Sequence, residues 1–140
     1  MENQMITNKS LSILVVDDEP ELRFLLREIL SMQGYQVYEA SDGVKALVQF
    51  KLLQPDIILA DIRLPSMDGI SLLQAIRRQN QTVGILMISA LPQTYQAAKV
   101  IELGADGYLQ KPFTLEGIEE AIQGLTTEVI QRRNESSDYP

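Results

Sequence analysis

The chain has 140 residues, 45% of them apolar, and a mean hydropathy near zero, which is the size and balance of one soluble domain with a core of its own. It contains no cysteine and no histidine, which excludes disulfides, thiolate zinc sites and any mechanism that needs imidazole as ligand, acid, base or phosphate carrier. The net charge of −7 argues against nucleic-acid binding by this chain alone, because affinity for a polyanion comes from Lys and Arg meeting phosphates.

Residues 1–10 are polar, lack the charged-then-apolar layout of a signal peptide, and read as a flexible lead-in. No run approaches the length of a membrane span, so a cytoplasmic protein without membrane contact is expected. Leu11 to Val16 reads as a first strand, followed at once by Asp17, Asp18, Glu19 and Pro20. Leu22, Leu25, Leu26, Ile29 and Leu30 then recur at helical spacing, and Gly34 stands where a left-handed residue ends a helix. Gln36 to Ala40 is a short second strand. Asp42 is placed to cap a helix that carries Val44, Leu47, Val48 and Phe50 as far as Leu53, and Pro55 closes the unit.

The third strand, Ile57 to Ala60, is an apolar run of the kind buried on both faces, and it delivers Asp61 at its end. After Asp68 a third helix is marked by Ile70, Leu72, Leu73 and Ile76, with Arg77 and Arg78 near its C-terminal dipole. Gly84 to Ile88 is a fourth strand ending on Ser89. Pro92 suits the first turn of a fourth helix with Ala98, Val100, Ile101 and Leu103, capped by Gly104. Gly107 to Leu109 is a brief fifth strand, followed by Lys111 and Pro112. Thr114 then caps a last helix through Ile118, Ala121, Ile122 and Leu125. From residue 126 the chain turns polar, and the last seven residues read as unstructured.

Strand–helix alternation of this kind predicts an α/β, doubly wound (βα)5 three-layer sandwich with a parallel sheet, since parallel neighbours need right-handed crossovers. In such a sheet ligands sit beyond the carboxyl ends of the strands. There the chain carries Asp17 and Asp18, Asp61, Ser89 and Lys111. Three carboxylates within a few ångströms repel, each pair by about 4 kcal/mol at ~4 Å with an effective dielectric of about 20, so the cluster calls for a cation. Mg²⁺ accepts one or two carboxylates plus a phosphate and its own waters. Lys111 adds a point charge for a phosphoryl oxygen, and Ser89 a hydroxyl. Asp61 is the candidate nucleophile. The methionines, Met67 and Met87 among them, read as core filler.

The segments VVDDE, LADIRLPSMDG, MISA and LQKPF, in that order, make the chain resemble the receiver domain of two-component response regulators, of the chemotaxis-regulator-like, flavodoxin-like kind, over Leu11 to Leu125. The resemblance implies a five-stranded sheet of order 2-1-3-4-5. It implies that Asp61 accepts a phosphoryl group from a sensor histidine kinase or histidine phosphotransfer protein. Mg²⁺ (or Mn²⁺) would be held by Asp17, Asp18, Asp61 and the backbone carbonyl of Arg63. Lys111 would pair with Asp61 or its phosphate across a cis Lys111–Pro112 peptide, and Ser89 with Tyr108 would form the switch. Arg63, Ala90, Leu91 and Pro112 would flank the site. Such a domain catalyses only its own phosphoryl transfer and self-dephosphorylation. It signals through its helix 4, strand 5 and helix 5 face to a downstream protein or to a second copy.

Several residues refine this expectation. Ser89 stands where threonine is commoner, and Ala121 stands where relatives with winged-helix outputs carry an arginine that bridges an active dimer, which puts that dimer in doubt. Leu91 offers no hydrogen bond to a hydrolytic water and Arg63 can lie over the phosphoryl group, so slow self-dephosphorylation is expected. Tyr108 is expected to turn from an outward to an inward rotamer when Ser89 moves. A phosphohydrolase working through an aspartyl-phosphate would want a second acid two residues beyond Asp61, where Arg63 stands. A flavin-binding domain of this topology would want hydroxyls and glycines after the first strand, where Asp17, Asp18 and Glu19 repel a phosphate. The polar tail favours a stand-alone regulator over a piece of a larger one.

Overall fold

Five strands, each followed by a helix, build the protein. The computed structural model describes residues 11–91 and 93–137, and among these the side chains of all but 93–96 and 136–137. The elements are β1 (Ser12–Val16), α1 (Pro20–Met32), β2 (Gln36–Ala40), α2 (Gly43–Leu53), β3 (Ile57–Asp61), α3 (Gly69–Arg77), β4 (Gly84–Ser89), α4 (Gln93–Glu102), β5 (Gly107–Gln110) and α5 (Leu115–Ser137). All neighbouring strands are parallel, in the order β2-β1-β3-β4-β5. The expected lead-in at 1–10 and the expected helical turn at Pro92 lie outside the described residues.

The central strands are apolar without alternation because both faces are covered. Leu14, Val16, Ile58, Ala60, Ile85 and Met87 face α2, α3 and α4, packing with Phe50, Leu72, Leu73, Ile76 and Val100. Ile13, Val15, Ile57, Leu59 and Ile88 face the other way, onto Leu26 and Leu30 of α1 and Ile118, Ile122, Leu125 and Val129 of α5. Every loop that follows a strand therefore opens at one edge of the sheet, and the order places β1 beside β3 there.

The helix ends follow the residue chemistry. Asp42 accepts from the Lys45 N–H at 2.8 Å and Asp68 from the Ser71 N–H at 2.8 Å, while the Thr114 hydroxyl accepts from the Gly117 N–H at 2.9 Å. Gly34 and Gly104 both adopt positive φ, at 98° and 112°, as the ends of α1 and α4 require.

Two departures from the sequence reading matter. Of the last seven residues, expected to be unstructured, 134–137 continue α5, which runs through Ser137, and 138–140 lie outside the described residues. Val129 is fully buried, Arg132 lies 3.0 Å from Asp106 and Arg133 lies 2.6 Å from Asp56. Both acids sit just before β5 and β3, so the polar end of α5 is anchored along the amino-terminal edge of the sheet. Secondly, Leu25, Val44, Val48 and Ile101, which share the apolar pattern of their helices, are 50%, 47%, 52% and 48% exposed. Each helix buries a narrower stripe than its letters suggest.

Candidate functional site

At the carboxyl edge, β1 is followed by Asp17, which is fully buried, and Asp18, which is exposed. β3 ends in Asp61, 6% exposed, and the residues after β5 include Lys111. Carboxylate oxygens of Asp17, Asp18 and Asp61 lie within 4.8 Å of one another. The Lys111 Nζ donates to Asp61 Oδ2 at 2.7 Å, to Asp17 Oδ2 at 2.9 Å and to Glu19 Oε1 at 3.1 Å. The other oxygen of each buried acid is held by backbone: Asp61 Oδ1 accepts from the Arg63 N–H at 3.0 Å, and Asp17 Oδ1 from the Glu19 N–H at 2.9 Å. Both carboxylates are thus fixed in orientation by the loops that follow them.

The loop after β3 is held in place by its glycine. A Cβ on Gly69 would run into the Asp61 carbonyl oxygen, and the Gly69 N–H donates to the Ile62 carbonyl at 2.7 Å. Only a residue without a side chain lets the start of α3 close this tightly under the acceptor. The Lys111–Pro112 peptide is cis.

The electrostatics follow from burial and pairing. Desolvation raises the carboxyl pKa of Asp17 above its ordinary value, against the opposing pull of the Glu19 N–H and of Lys111. Desolvation alone would lower the pKa of Lys111, but its hydrogen bonds to Asp61 and Asp17 and their charges outweigh that and raise it. Lys111 is therefore a permanent cation, and it faces three carboxylates. The local charge is negative, and the donors are all oxygen, which fits a hard divalent cation rather than a soft metal.

Comparison with known proteins decides what this arrangement belongs to. The family described as the response regulator receiver domain matches residues 13–123. The chain belongs to the response regulator receiver family. It is 40% identical over 113 residues to a probable transcriptional regulator ycf27 of Cyanophora paradoxa, covering 81% of this chain and 47% of that protein. It is 38% identical to the alkaline phosphatase synthesis transcriptional regulatory protein PhoP of Bacillus subtilis, with 81% and 47% covered. Among solved structures it resembles the receiver domain of the Francisella response regulator 1452, with a TM-score of 0.79, 30% identity and 87% and 98% of the two chains covered. It also resembles the chemotaxis protein CheY4 of Vibrio cholerae, with a TM-score of 0.77, 30% identity and 82% and 98% covered. The chain spans about half the length of the curated relatives it matches.

In this receiver Ser89 is buried at the end of β4, and its hydroxyl accepts from the Leu91 N–H at 3.1 Å. Tyr108 packs, half-buried, against the core cluster that includes Val100 of α4, and its hydroxyl donates to the Leu91 carbonyl at 2.8 Å. The two groups expected to form the switch therefore meet on one residue of the loop after β4. Arg63 and Leu91 line an open cleft with Asp18, Ile62 and Leu64. Ala90 and Pro112 line a second, apolar groove with Leu22, Leu25 and Phe113, beside Lys111.

Some of the site is absent from the sequence reading. Glu19 as a third partner of Lys111 was legible only as the last letter of VVDDE. Arg23 donates from Nη1 to the Asp17 carbonyl at 2.7 Å and from Nε to Glu39 at 3.2 Å, which steadies the loop after β1. Nothing in the spacing of Arg23 distinguishes that role from a solvated helix face.

Proposed function

We propose that the receiver takes a phosphoryl group onto Asp61 from the phosphohistidine of a sensor histidine kinase or histidine phosphotransfer protein, in the cytoplasm. The observation that carries this reading is the contact between Lys111 Nζ and Asp61 Oδ2 at 2.7 Å, made beside two further acids whose oxygens lie within 4.8 Å of Asp61. An Asp61 oxygen attacks phosphorus, the bond from phosphorus to the donor imidazole breaks, and the imidazole leaves with that electron pair. Bound Mg²⁺ or Mn²⁺, held by Asp17, Asp18, Asp61 and the Arg63 carbonyl, would neutralise charge on the transferred oxygens. Lys111 follows a phosphoryl oxygen, and the apolar groove of Leu22, Leu25, Pro112 and Phe113 offers the donor a seat next to the acceptor.

Phosphorylation adds about −1.5 to −2 charge, and Ser89 is the nearest free hydroxyl on the neighbouring strand. Its movement disturbs the Leu91 N–H that it now accepts, and Tyr108 reads the same residue through its carbonyl. The signal then leaves by the α4, β5 and α5 face to a downstream protein or a second copy. The receiver unit is residues 11–125, with a lead-in at 1–10 before it and the end of the last helix and a polar tail at 126–140. Its only catalysis is its own phosphorylation and slow self-dephosphorylation. The phosphohydrolase reading has less support, because Arg63, whose side chain is exposed, stands where a general acid is needed.

The test is intact-mass measurement after exposure to a small-molecule acyl phosphate with Mg²⁺. One hydroxylamine-labile phosphate is expected on the natural chain and none on Asp61→Asn. An equal gain on the variant overturns the assignment of the nucleophile.

A further inference from the structure

Helix α2 carries an exposed feature that the phosphoacceptor site does not use. It buries only Gly43, Ala46 and Phe50. On the opposite side Val44, Val48 and Leu52, spaced four residues apart, are 47%, 52% and 77% exposed and form one apolar ridge along the helix. The helix carries Lys45 and Lys51 and no acidic side chain, and its neighbour α3 carries no acid either, its one arginine, Arg77, being buried against Asp106. Lys45 is 67% exposed at 4.0 Å from its capping Asp42, and Lys51 is exposed with no acidic partner among the described residues. This is a basic-edged apolar ridge on a chain whose net charge is −7.

We propose that the α2 ridge is a docking surface for an amphipathic helix of a partner protein, one whose apolar stripe is flanked by Asp or Glu. Charge decides the occupant. A second copy docked ridge to ridge sets lysine against lysine, which is unfavourable once water is excluded. A second copy docked by a different face makes a heterologous contact, which builds a ring or an open array and not a simple dimer, and the chain's net charge of −7 sets such copies against one another. An acidic-edged helix meets neither objection. Its apolar residues lie along Val44, Val48 and Leu52 in the manner of helix-on-helix packing, and its carboxylates reach Lys45 and Lys51. The surface lies on the sheet face opposite α1 and α5, so it stays open while a phosphodonor sits in the groove beside Lys111.

The experiment uses the full chain and two synthetic amphipathic peptides of about five helical turns, identical in their leucine stripe, one flanked by Glu and one by Lys. Net charge alone favours the Lys peptide; the proposal requires the reverse. Amide shifts over residues 43–53 are expected with the Glu peptide and not with the Lys peptide. Val48→Glu, at a half-exposed position that leaves the core untouched, should weaken binding roughly tenfold or more, since a buried Val contributes about that much in equilibrium constant. Lys51→Glu should weaken it as well. Stronger binding of the Lys peptide, shifts that avoid α2, or no binding of the Glu peptide overturns the proposal. So does sedimentation that shows the natural chain self-associating and Val48→Glu monomeric, which would make a second copy the occupant.

Discussion

Replacing Lys111 by Met keeps most of the side-chain stem and removes the one cation that, among the described residues, touches both buried acids. At 2.7 and 2.9 Å from Asp61 and Asp17, the gross attraction is about 6 kcal/mol for each pair at an effective dielectric of about 20. Desolvation offsets much of it, because the lysine, Asp61 and Asp17 side chains are only 16%, 9% and 0% exposed. What remains is the cost of leaving buried charge unpaired, about 3–5 kcal/mol. Asp17, already raised by burial, loses an opposing cation and rises further, so partial protonation moderates the loss below neutral pH. Urea unfolding near neutral pH should therefore show a loss of about 3 kcal/mol or more in the absence of divalent ions. Added Mg²⁺ should restore more stability to Lys111→Met than it adds to the natural chain, because the vacated acids bind it more tightly and linkage scales with [L]/Kd. A loss under about 1 kcal/mol, the range of a surface pair, or an equal response to Mg²⁺ in both proteins, would refute this account of the site.

Four further outcomes follow from particular contacts. Gly69→Ala forces a methyl against the Asp61 carbonyl, so a stability loss of about 1–3 kcal/mol is expected, together with slower phosphorylation by an acyl phosphate. Leu91→Glu adds a group able to hold a hydrolytic water over Asp61, and the phosphorylated protein should lose its label faster; an unchanged decay rate removes the role assigned to Leu91. Asp106→Asn leaves Arg77, 9% exposed, and Arg132 without their carboxylate, and about 3–5 kcal/mol should disappear from urea unfolding. Burial raises the pKa of Tyr35 above its ordinary value of 10.0, outweighing its hydrogen bond with Thr126. The folded state thus holds that proton longer than the unfolded chain does, so the associated stability is complete below that value and is lost as pH rises through the folded pKa. Ultraviolet titration should show the Tyr35 phenolate appearing at higher pH than an ordinary tyrosine's, and Tyr35→Phe should lose that component.

The succession of strands and helices and the place of Asp61 were legible because each rests on local chemistry: apolar runs for buried strands, Asp42 and Thr114 as caps, Gly34 and Gly104 where φ must turn positive; the lateral order of the strands came only from the resemblance to receivers. The convergence of Asp17, Asp18, Asp61 and Lys111 was legible because a parallel sheet sends every strand's carboxyl end to one edge. The resting position of Tyr108 was not. Its hydroxyl is fixed by a backbone carbonyl, that of Leu91, and a carbonyl carries no sequence signal. The width of each buried stripe was hidden for a related reason. Val44 and Phe50 look alike as letters, and only the docking angle of α2 on the sheet makes the first exposed and the second buried.

The end of α5 shows why the two edges of the sheet read so differently. At the amino-terminal edge Asp56 meets Arg133, and Asp106 meets both Arg77 and Arg132, so each acid there is paired with arginine. Arg132 and Arg133 sit among polar letters that resemble a solvated tail, and their partners lie far away in the chain. At the carboxyl-terminal edge Asp17, Asp61 and Glu19 share one ammonium, and Asp18 adds a further charge nearby. A folded chain keeps buried like charges together only at a cost in stability, which the amino-terminal edge shows to be avoidable with the same residue types. The unbalanced edge is therefore the one suited to a ligand, and the sign of the imbalance favours a ligand that brings positive charge, as a divalent cation does.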